Sequence, residues 1–421
     1  MRMKKQIKVI VVSFVMALFC ACASPNTNVE DSTMNNTEPT AMPTVMSTPT
    51  PEPTAIPTLT CPPTLTPTPI PDFGFQDASS AVAAMKAGWN LGNSLDSCGN
   101  WLNGNDPLTY ERGWGNPVAT QELISEIKKA GFNAVRVPVT WYQHVDTKGT
   151  VNEAWLERVK VVVDYVLSEG MYCIINVHHD TGGGEEAWLR ADEAYYEKNK
   201  ELYVSIWNQV ATEFADYDEK LLFEGYNEML DGSLSWTNPK KESGYEVINK
   251  WAQLFVDTVR ATGGNNRTRN LIINTYGGDS GERTVSHLVM PTDVVENHLI
   301  AEVHIYTPDR FTSSGSWISN PTDIWTEDCE KELKKRFEIL DKYFIQKGIP
   351  VIVGEFGAQS KDNEAERAKY AAYFVKNAQN YGIAAFWWDD GGKDSMGIIN
   401  RNTYEWMHPQ IKEALTSSGI E

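Results

Sequence analysis

Glu228 and Glu355 each close a short apolar run, Leu221-Leu222-Phe223-Glu224-Gly225-Tyr226-Asn227-Glu228 and Pro350-Val351-Ile352-Val353-Gly354-Glu355. Such a run reads as a buried strand with a carboxylate at its exit. A carboxylate taken out of water without a partner is strongly disfavoured, so each needs a reason to be there. Two carboxyl groups facing each other across a cleft can hydrolyse a glycosidic bond: one protonates the leaving oxygen, and the other attacks the anomeric carbon or activates a water. Two unrelated strand-end salt bridges would leave the same local pattern. The elements around the two glutamates decide between these readings.

From Phe73 onward a unit of amphipathic helix, glycine and apolar strand recurs. Leu123, Ile127 and Ala130 share a helical face before Gly131; Leu156, Val159, Val163 and Val166 do so before Gly170. Leu333, Phe337, Leu340 and Phe344 precede Gly348, and Ala368, Ala371, Val375 and Ala378 precede Gly382. Glycine ends helices because it tolerates the left-handed conformation. Helices alternating with continuous apolar strands imply a parallel sheet covered on both faces. Eight strands are expected, at 87–92, 134–137, 172–177, 221–227, 270–275, 299–303, 351–354 and 384–387. Eight such units predict an α/β fold, a (β/α)8 TIM barrel over 73–421. A doubly wound nucleotide-binding sheet would need a glycine-rich phosphate loop after an early strand, but the first strand exits into Asn90-Leu91-Gly92-Asn93-Ser94. Gly182-Gly183-Gly184 is followed by Glu185-Glu186, which would repel phosphate.

Residues 1–23 read as an export signal: Arg2, Lys4, Lys5 and Lys8 precede the apolar stretch Val9 to Phe19, and Ala21-Cys22-Ala23 resembles a cleavage site. Cys22 offers a second route, acylation as a lipoprotein that tethers the chain to a membrane. Both place the mature chain outside the cytoplasm. Residues 24–72 are rich in Pro and Thr and poor in large apolar residues, a composition that reads as a disordered, extended spacer. The formal net charge of -19 argues against nucleic acid as a partner, while 14 tryptophans suit the flat faces of sugar rings. Beyond the signal, Cys61, Cys98, Cys173 and Cys329 are too widely spaced for a zinc knuckle.

In a barrel of this kind the strand C-termini form the active face. The exits carry, in order, Asn93, Arg136, His178-His179, Asn227-Glu228, Tyr276, His304 with Tyr306, Glu355 and Trp388. Packing alone does not call for polar or amphipathic groups at all eight exits.

The segments Gly88-Trp89-Asn90-Leu91-Gly92-Asn93-Ser94-Leu95-Asp96, Arg136-Val137-Pro138-Val139-Thr140-Trp141, Asn176-Val177-His178-His179-Asp180, Asn227-Glu228, His304-Ile305-Tyr306, Gly354-Glu355-Phe356-Gly357 and Trp387-Trp388-Asp389 together resemble glycoside hydrolase family 5. The likeness is greatest to its fourth subfamily of bacterial endo-β-1,4-glucanases, and it covers about residues 75–418. The resemblance implies a retaining endo-β-1,4-glucanase with Glu228 as acid/base and Glu355 as nucleophile. It also implies that Asn93, Arg136, His178, His179, Asn227, His304, Tyr306 and Trp388 bind substrate or support the pair. The chain departs from the family at Met229, where Pro is usual, and at Asp390, where Asn is common. Both positions bear on loop shape and fine specificity.

The roles also have a physical basis. A nucleophile must stay ionised, and an arginine fork from Arg136 with a hydrogen bond from Tyr306 would hold Glu355 so. An acid must keep its proton, which burial and a nearby carboxylate favour. Neutral Asn227 does not oppose that, and its amide can donate to a sugar hydroxyl. A metal on His178, His179 and His304 is disfavoured because adjacent residues of a strand point to opposite sides. No cofactor and no metal is expected, although acidic loops leave room for a structural calcium. Trp101, Trp141, Trp188, Trp236 and Trp317 fall in exit loops as candidate stacking platforms, and Trp155, Trp207 and Trp251 fall on helices as packing. The partner expected is a β-glucan chain bound by a monomer. A β-mannanase or xylanase on the same barrel, or a noncatalytic surface glucan-binding protein, are the alternatives.

Overall fold

The computed structural model describes residues 74–184, 186–316 and 318–417. The export segment (1–23) and the Pro/Thr-rich spacer (24–72) lie outside the described residues. Eight parallel strands close into a barrel in chain order: β1 (Gly88–Leu91), β2 (Ala134–Val137), β3 (Tyr172–Asn176), β4 (Leu221–Glu224), β5 (Leu271–Asp279), β6 (Leu299–Ile305), β7 (Val351–Phe356) and β8 (Ala384–Asp389). The expected (β/α)8 barrel is therefore the fold.

The helices form where the apolar spacing places them. In Gln121–Lys129, Thr120 caps the N–H of Leu123 and the helix buries Leu123, Ile124 and Ile127. In Glu153–Ser168, Asn152 caps Trp155, and Val159, Val163 and Val166 face the barrel. Gly131, Gly170, Gly348 and Gly382 all have positive φ, the conformation that ends a helix at least cost to glycine. Trp155, Trp207 and Trp251 are buried in the layer between helices and barrel.

Inside the barrel the strands alternate, and every second side chain points inward. Toward the N-terminal end the inward set is apolar: Ala134, Ile174, Leu222, Ile272, Ile300, Ile352 and Phe386 pack with Ala78, Ala81 and Val82 of helix Ala78–Ala84, which closes that end. Two residues further along the same strands the inward set turns polar: Arg136, Asn176, Glu224, Asn274 and Glu302, all buried.

β5, β6 and β8 run on past their expected ends, to Asp279, Ile305 and Asp389, and two other strand ends bear directly on the site. β4 stops at Glu224 rather than Asn227; Gly225 lies under the ring of Phe255, where a Cβ would be 2.9 Å from Cδ1, and the chain leaves the ladder there. β7 runs on through Glu355 because it contains a bulge. Val303 pairs with Val353 and His304 with Glu355, so Gly354 is the extra residue. Simple alternation from the inward Ile352 would turn residue 355 away from the barrel interior. The bulge resets the alternation and brings Glu355 opposite His304.

Candidate active site

The polar exits converge on Arg136, which rises from β2 and is fully buried. Its Nε and Nη2 donate to Oε2 and Oε1 of Glu224 at 2.6 and 2.8 Å. Nη1 donates to Oε1 of Glu355 at 2.8 Å and to Oδ1 of Asn90 at 3.0 Å, and Nη2 donates to Oδ1 of Asn227 at 2.8 Å. The two-pronged fork expected for Glu355 is thus given to Glu224, and Glu355 receives one N–H. The other oxygen of Glu355 accepts from Tyr306 at 2.9 Å.

Glu228 stands on the loop after β4, four residues past Glu224. Its Oε1 is 2.7 Å from Nδ1 of His304, and its side chain is 20% exposed against 7% for Glu355. His304 Nδ1 lies 3.6 Å from Oε2 of Glu355. One oxygen of each glutamate and one nitrogen of His304 lie within 4.8 Å of one another. The carboxyl groups of retaining glycosidases sit about 5–5.5 Å apart and those of inverting ones roughly 6.5–9.5 Å, and a pair with oxygens this close is compatible with the short spacing.

The surroundings of Glu355 favour its ionised form. Burial favours a neutral Glu355, but His304, Arg136 and the Tyr306 hydroxyl outweigh it and hold the carboxyl below its ordinary range. Burial likewise opposes charge on His304, yet Glu355, Glu228 and Glu302 surround it and raise it to about 10. Burial, then Glu355 and Glu228, hold the Tyr306 phenol protonated far above its usual value, so it stays a donor. His178 goes the other way: burial first, then the charges of His179, Arg136 and His304, keep it neutral. Asn176 Nδ2 lies 3.0 Å from Nδ1 of His178 and donates to Glu224 at 2.9 Å. With Nδ1 accepting from Asn176, His178 carries its proton on Nε2, and the Asn227 Nδ2 donor 3.5 Å away does not accept from it.

The structure brings Glu228, Glu355, Arg136, Asn227, His178, His304 and Tyr306 into one connected group. Trp388 joins through its ring, which lies parallel to that of His178 at 5.8 Å. His179 stands at the edge, 3.6 Å from Asp96 and tilted against Trp114. The two adjacent histidines do not point to opposite sides: they lie past the end of β3, where strand alternation no longer holds, and their rings meet edge to face at 4.5 Å. Asp96, His178 and His179 bring donor atoms within 4.8 Å, but Asp96 already accepts the N–H groups of Asn93 and Ser94. Asn93 makes no hydrogen bond to the group among the described residues; its backbone is left-handed and its N–H and carbonyl are held by Asp96 and Asn116. Asn90, three residues earlier and inward on β1, takes the position beside Arg136.

Asn90, Asn176, Glu224 and Glu302 were missed by reading exits alone. A signal was present: Glu224 and Glu302 sit inside apolar strands at the same parity as the inward Leu222 and Ile300. Tyr276 is a support rather than a wall, donating to Asp231 and Ser235 in the loop that carries Trp236. Among the exit-loop tryptophans, Trp141 is a plug, buried with its indole N–H on the Asn176 carbonyl. Trp188 is half-buried and bound to Asp180, while Trp101 and Trp236 are 65% and 49% exposed. Trp317 lies outside the described residues. Met229 is buried, and its carbonyl accepts from Gly277; Asp390 turns into its own loop to accept from the N–H of Gly392.

A family model described as cellulase (glycosyl hydrolase family 5) matches residues 95–394. Endoglucanase A of Clostridium longisporum is 37% identical over 349 residues, 81% of this chain and 65% of that protein. The cellulase/esterase CelE of Acetivibrio thermocellus is 38% identical, over 83% of this chain and 42% of its own. The chain therefore spans less than two thirds of the length of these two curated relatives. The crystal structure of PbGH5A, a glycoside hydrolase family 5 enzyme from Prevotella bryantii B14, superposes with a TM-score of 0.76 at 43% identity, covering 82% of this chain and 98% of that one. A mutant of that enzyme has been solved in complex with the xyloglucan tetradecasaccharide XXXGXXXG. A barrel match of this closeness, over most of the chain, settles its membership: the chain belongs to glycosyl hydrolase family 5.

Proposed function

We propose that the chain is a retaining endo-β-1,4-glucanase, with Glu355 as nucleophile and Glu228 as acid/base. The observation that carries this is the close approach of two carboxyl groups in unlike surroundings, an oxygen of each lying within 4.8 Å of the other. Glu355 is held ionised by Arg136, His304 and Tyr306, and Glu228 pairs with His304 and is the more open of the two. In the first step a Glu355 oxygen attacks the anomeric carbon, the bond to the leaving oxygen breaks, and Glu228 gives that oxygen its proton. In the second, water attacks the same carbon, Glu228 takes the water's proton, and the bond to Glu355 breaks. Two inversions give net retention.

Names and complexes of relatives support a β-1,4-glucan substrate, xyloglucan included. Exposed Trp101 and Trp236 in the exit loops supply flat surfaces for sugar rings. A noncatalytic glucan-binding role would leave unexplained why Arg136 and both glutamates are kept in hydrogen-bonding order. The purified protein should release reducing ends from carboxymethylcellulose, mixed-linkage glucan and xyloglucan faster than from mannan or xylan. Hydrolysis confined to mannan or xylan, or none at all, would overturn the substrate assignment.

We further propose, from residues 1–72, that the enzyme works outside the cytoplasm, tethered through Cys22 or released. In cell fractionation, activity should follow the envelope or the medium, and Cys22→Ala should move any envelope-bound share into the medium. Activity confined to the cytosol refutes export.

A further inference from the structure

Glu224 and Glu302, inside the barrel, take no step in the double displacement. Glu224 is spent on Arg136 and Asn176. Glu302 is different: it is fully buried, and neither oxygen has a hydrogen-bond partner among the described residues. Its Oε1 lies 3.6 Å from Nε of Arg136 and 3.5 Å from Nε2 of His304, distances of ion pairing. The other nitrogen of that imidazole meets Glu228 at 2.7 Å. Glu302 and Glu228 thus occupy the two ends of one histidine ring. A Cβ on residue 354 would collide with Oε1 of Glu302, so the glycine that forms the β7 bulge also makes the space this carboxyl fills.

We propose that Glu302 is a positioning residue for the acid/base, its charge retaining, through His304, the proton that His304 and Glu228 share. The inference rests on the assignment of Glu228 as acid/base. Protonated Glu228 beside neutral His304, and ionised Glu228 beside the imidazolium, differ only in where one proton lies along the Nδ1···Oε1 bond. That proton must be present when the leaving oxygen departs. It is lost at alkaline pH, and a negative charge at Nε2 delays the loss. The groups facing Glu302 are Arg136 from β2, Glu224 and Tyr226 from β4 and its exit, and His304 on its own strand. His304 also faces Glu228, Glu355 and His178. Burial and then Glu224 raise the Glu302 pKa to about 7 against the pull of Arg136 and His304, so Glu302 is ionised across the alkaline range.

Glu302→Gln keeps the shape and removes the charge. The shared proton is then held less tightly, and the alkaline limb of kcat/KM should move to lower pH by about 1–2 units, the size of shift a charge within ~4–6 Å produces. Folded E302Q enzyme with an unmoved alkaline limb overturns the proposal, because a merely structural role would lower the rate at every pH alike. A second measurement needs neither turnover nor a folded variant at position 302. By NMR of the unmutated enzyme, His304, assigned by the signal lost in His304→Asn, should keep both ring protons well above pH 7. Titration of that ring near the ordinary value of about 6.5 overturns the proposal. Failure of the underlying acid/base assignment would show separately, as full activity in Glu228→Ala.

Discussion

Glu355→Ala should abolish formation of the glycosyl-enzyme and lower hydrolysis of glucan by about 10⁴-fold or more, since the covalent step has no other nucleophile. Glu228 is hydrogen-bonded to His304, and Glu224 and Glu302 are buried against Arg136 and His304. Alanine leaves Nη1 of Arg136 with only Asn90 and leaves the Tyr306 hydroxyl without its carboxylate, so the vacated space is lined with donors. A small anion fits there. Azide should therefore restore reaction on a β-glycoside with a good leaving group and yield an α-glycosyl azide, because it attacks from the face Glu355 occupied. NMR of the product anomer reads this directly. A β product under azide, or hydrolysis within about tenfold of the unmutated enzyme, would remove Glu355 from the role.

Why some of this was legible in the sequence and some not follows from how far apart the cooperating residues lie in the chain. Helix faces before Gly131 and Gly170 and the apolar runs after them are local patterns, and they led to eight strands and to the exits carrying Arg136, His178, Glu228, His304 and Glu355. The partners of Arg136 are not local. Glu224, Asn90 and Glu355 come from three other strands and Asn227 from the exit of β4, and which of them takes the bidentate fork depends on depth in the barrel. Depth is set by register, which an apolar run does not reveal to within a residue. The bulge at Gly354 is the clearest instance: period-two alternation from Ile352 points Glu355 the wrong way, and only the pairing of His304 with Glu355 corrects it. At β1 the exit residue is Asn93, while the residue that reaches Arg136 is Asn90, three positions deeper in the barrel. Trp141 shows the converse, a residue rightly placed after β2 whose indole turns inward to the Asn176 carbonyl instead of out to a sugar.

Glu228→Ala should behave unlike Glu355→Ala because it removes a proton and not a bond. On glucan the leaving oxygen is a poor leaving group, and loss of general acid help should cost about 10²–10⁴ in kcat/KM. His304 is not a substitute donor: with Glu355 and Glu302 still around it, its proton is held tightly. An aryl glycoside with an acidic phenol needs no such help, so its first step should run near the normal rate and leave the sugar esterified on Glu355. Deglycosylation then stalls for want of a base to take the water's proton. The signature is a burst of phenol equal to the enzyme present, a mass increase of one glycosyl unit, and a fall in both kcat and apparent KM. Azide needs no base and should relieve the stall with a β-glycosyl azide, the opposite anomer from that of Glu355→Ala. The alkaline limb of the aryl glycoside profile should also vanish, since the proton shared across the 2.7 Å Nδ1···Oε1 contact no longer has a second holder. An alanine variant that shows no burst on a good leaving group, or that keeps its alkaline limb, would move the acid/base role away from Glu228.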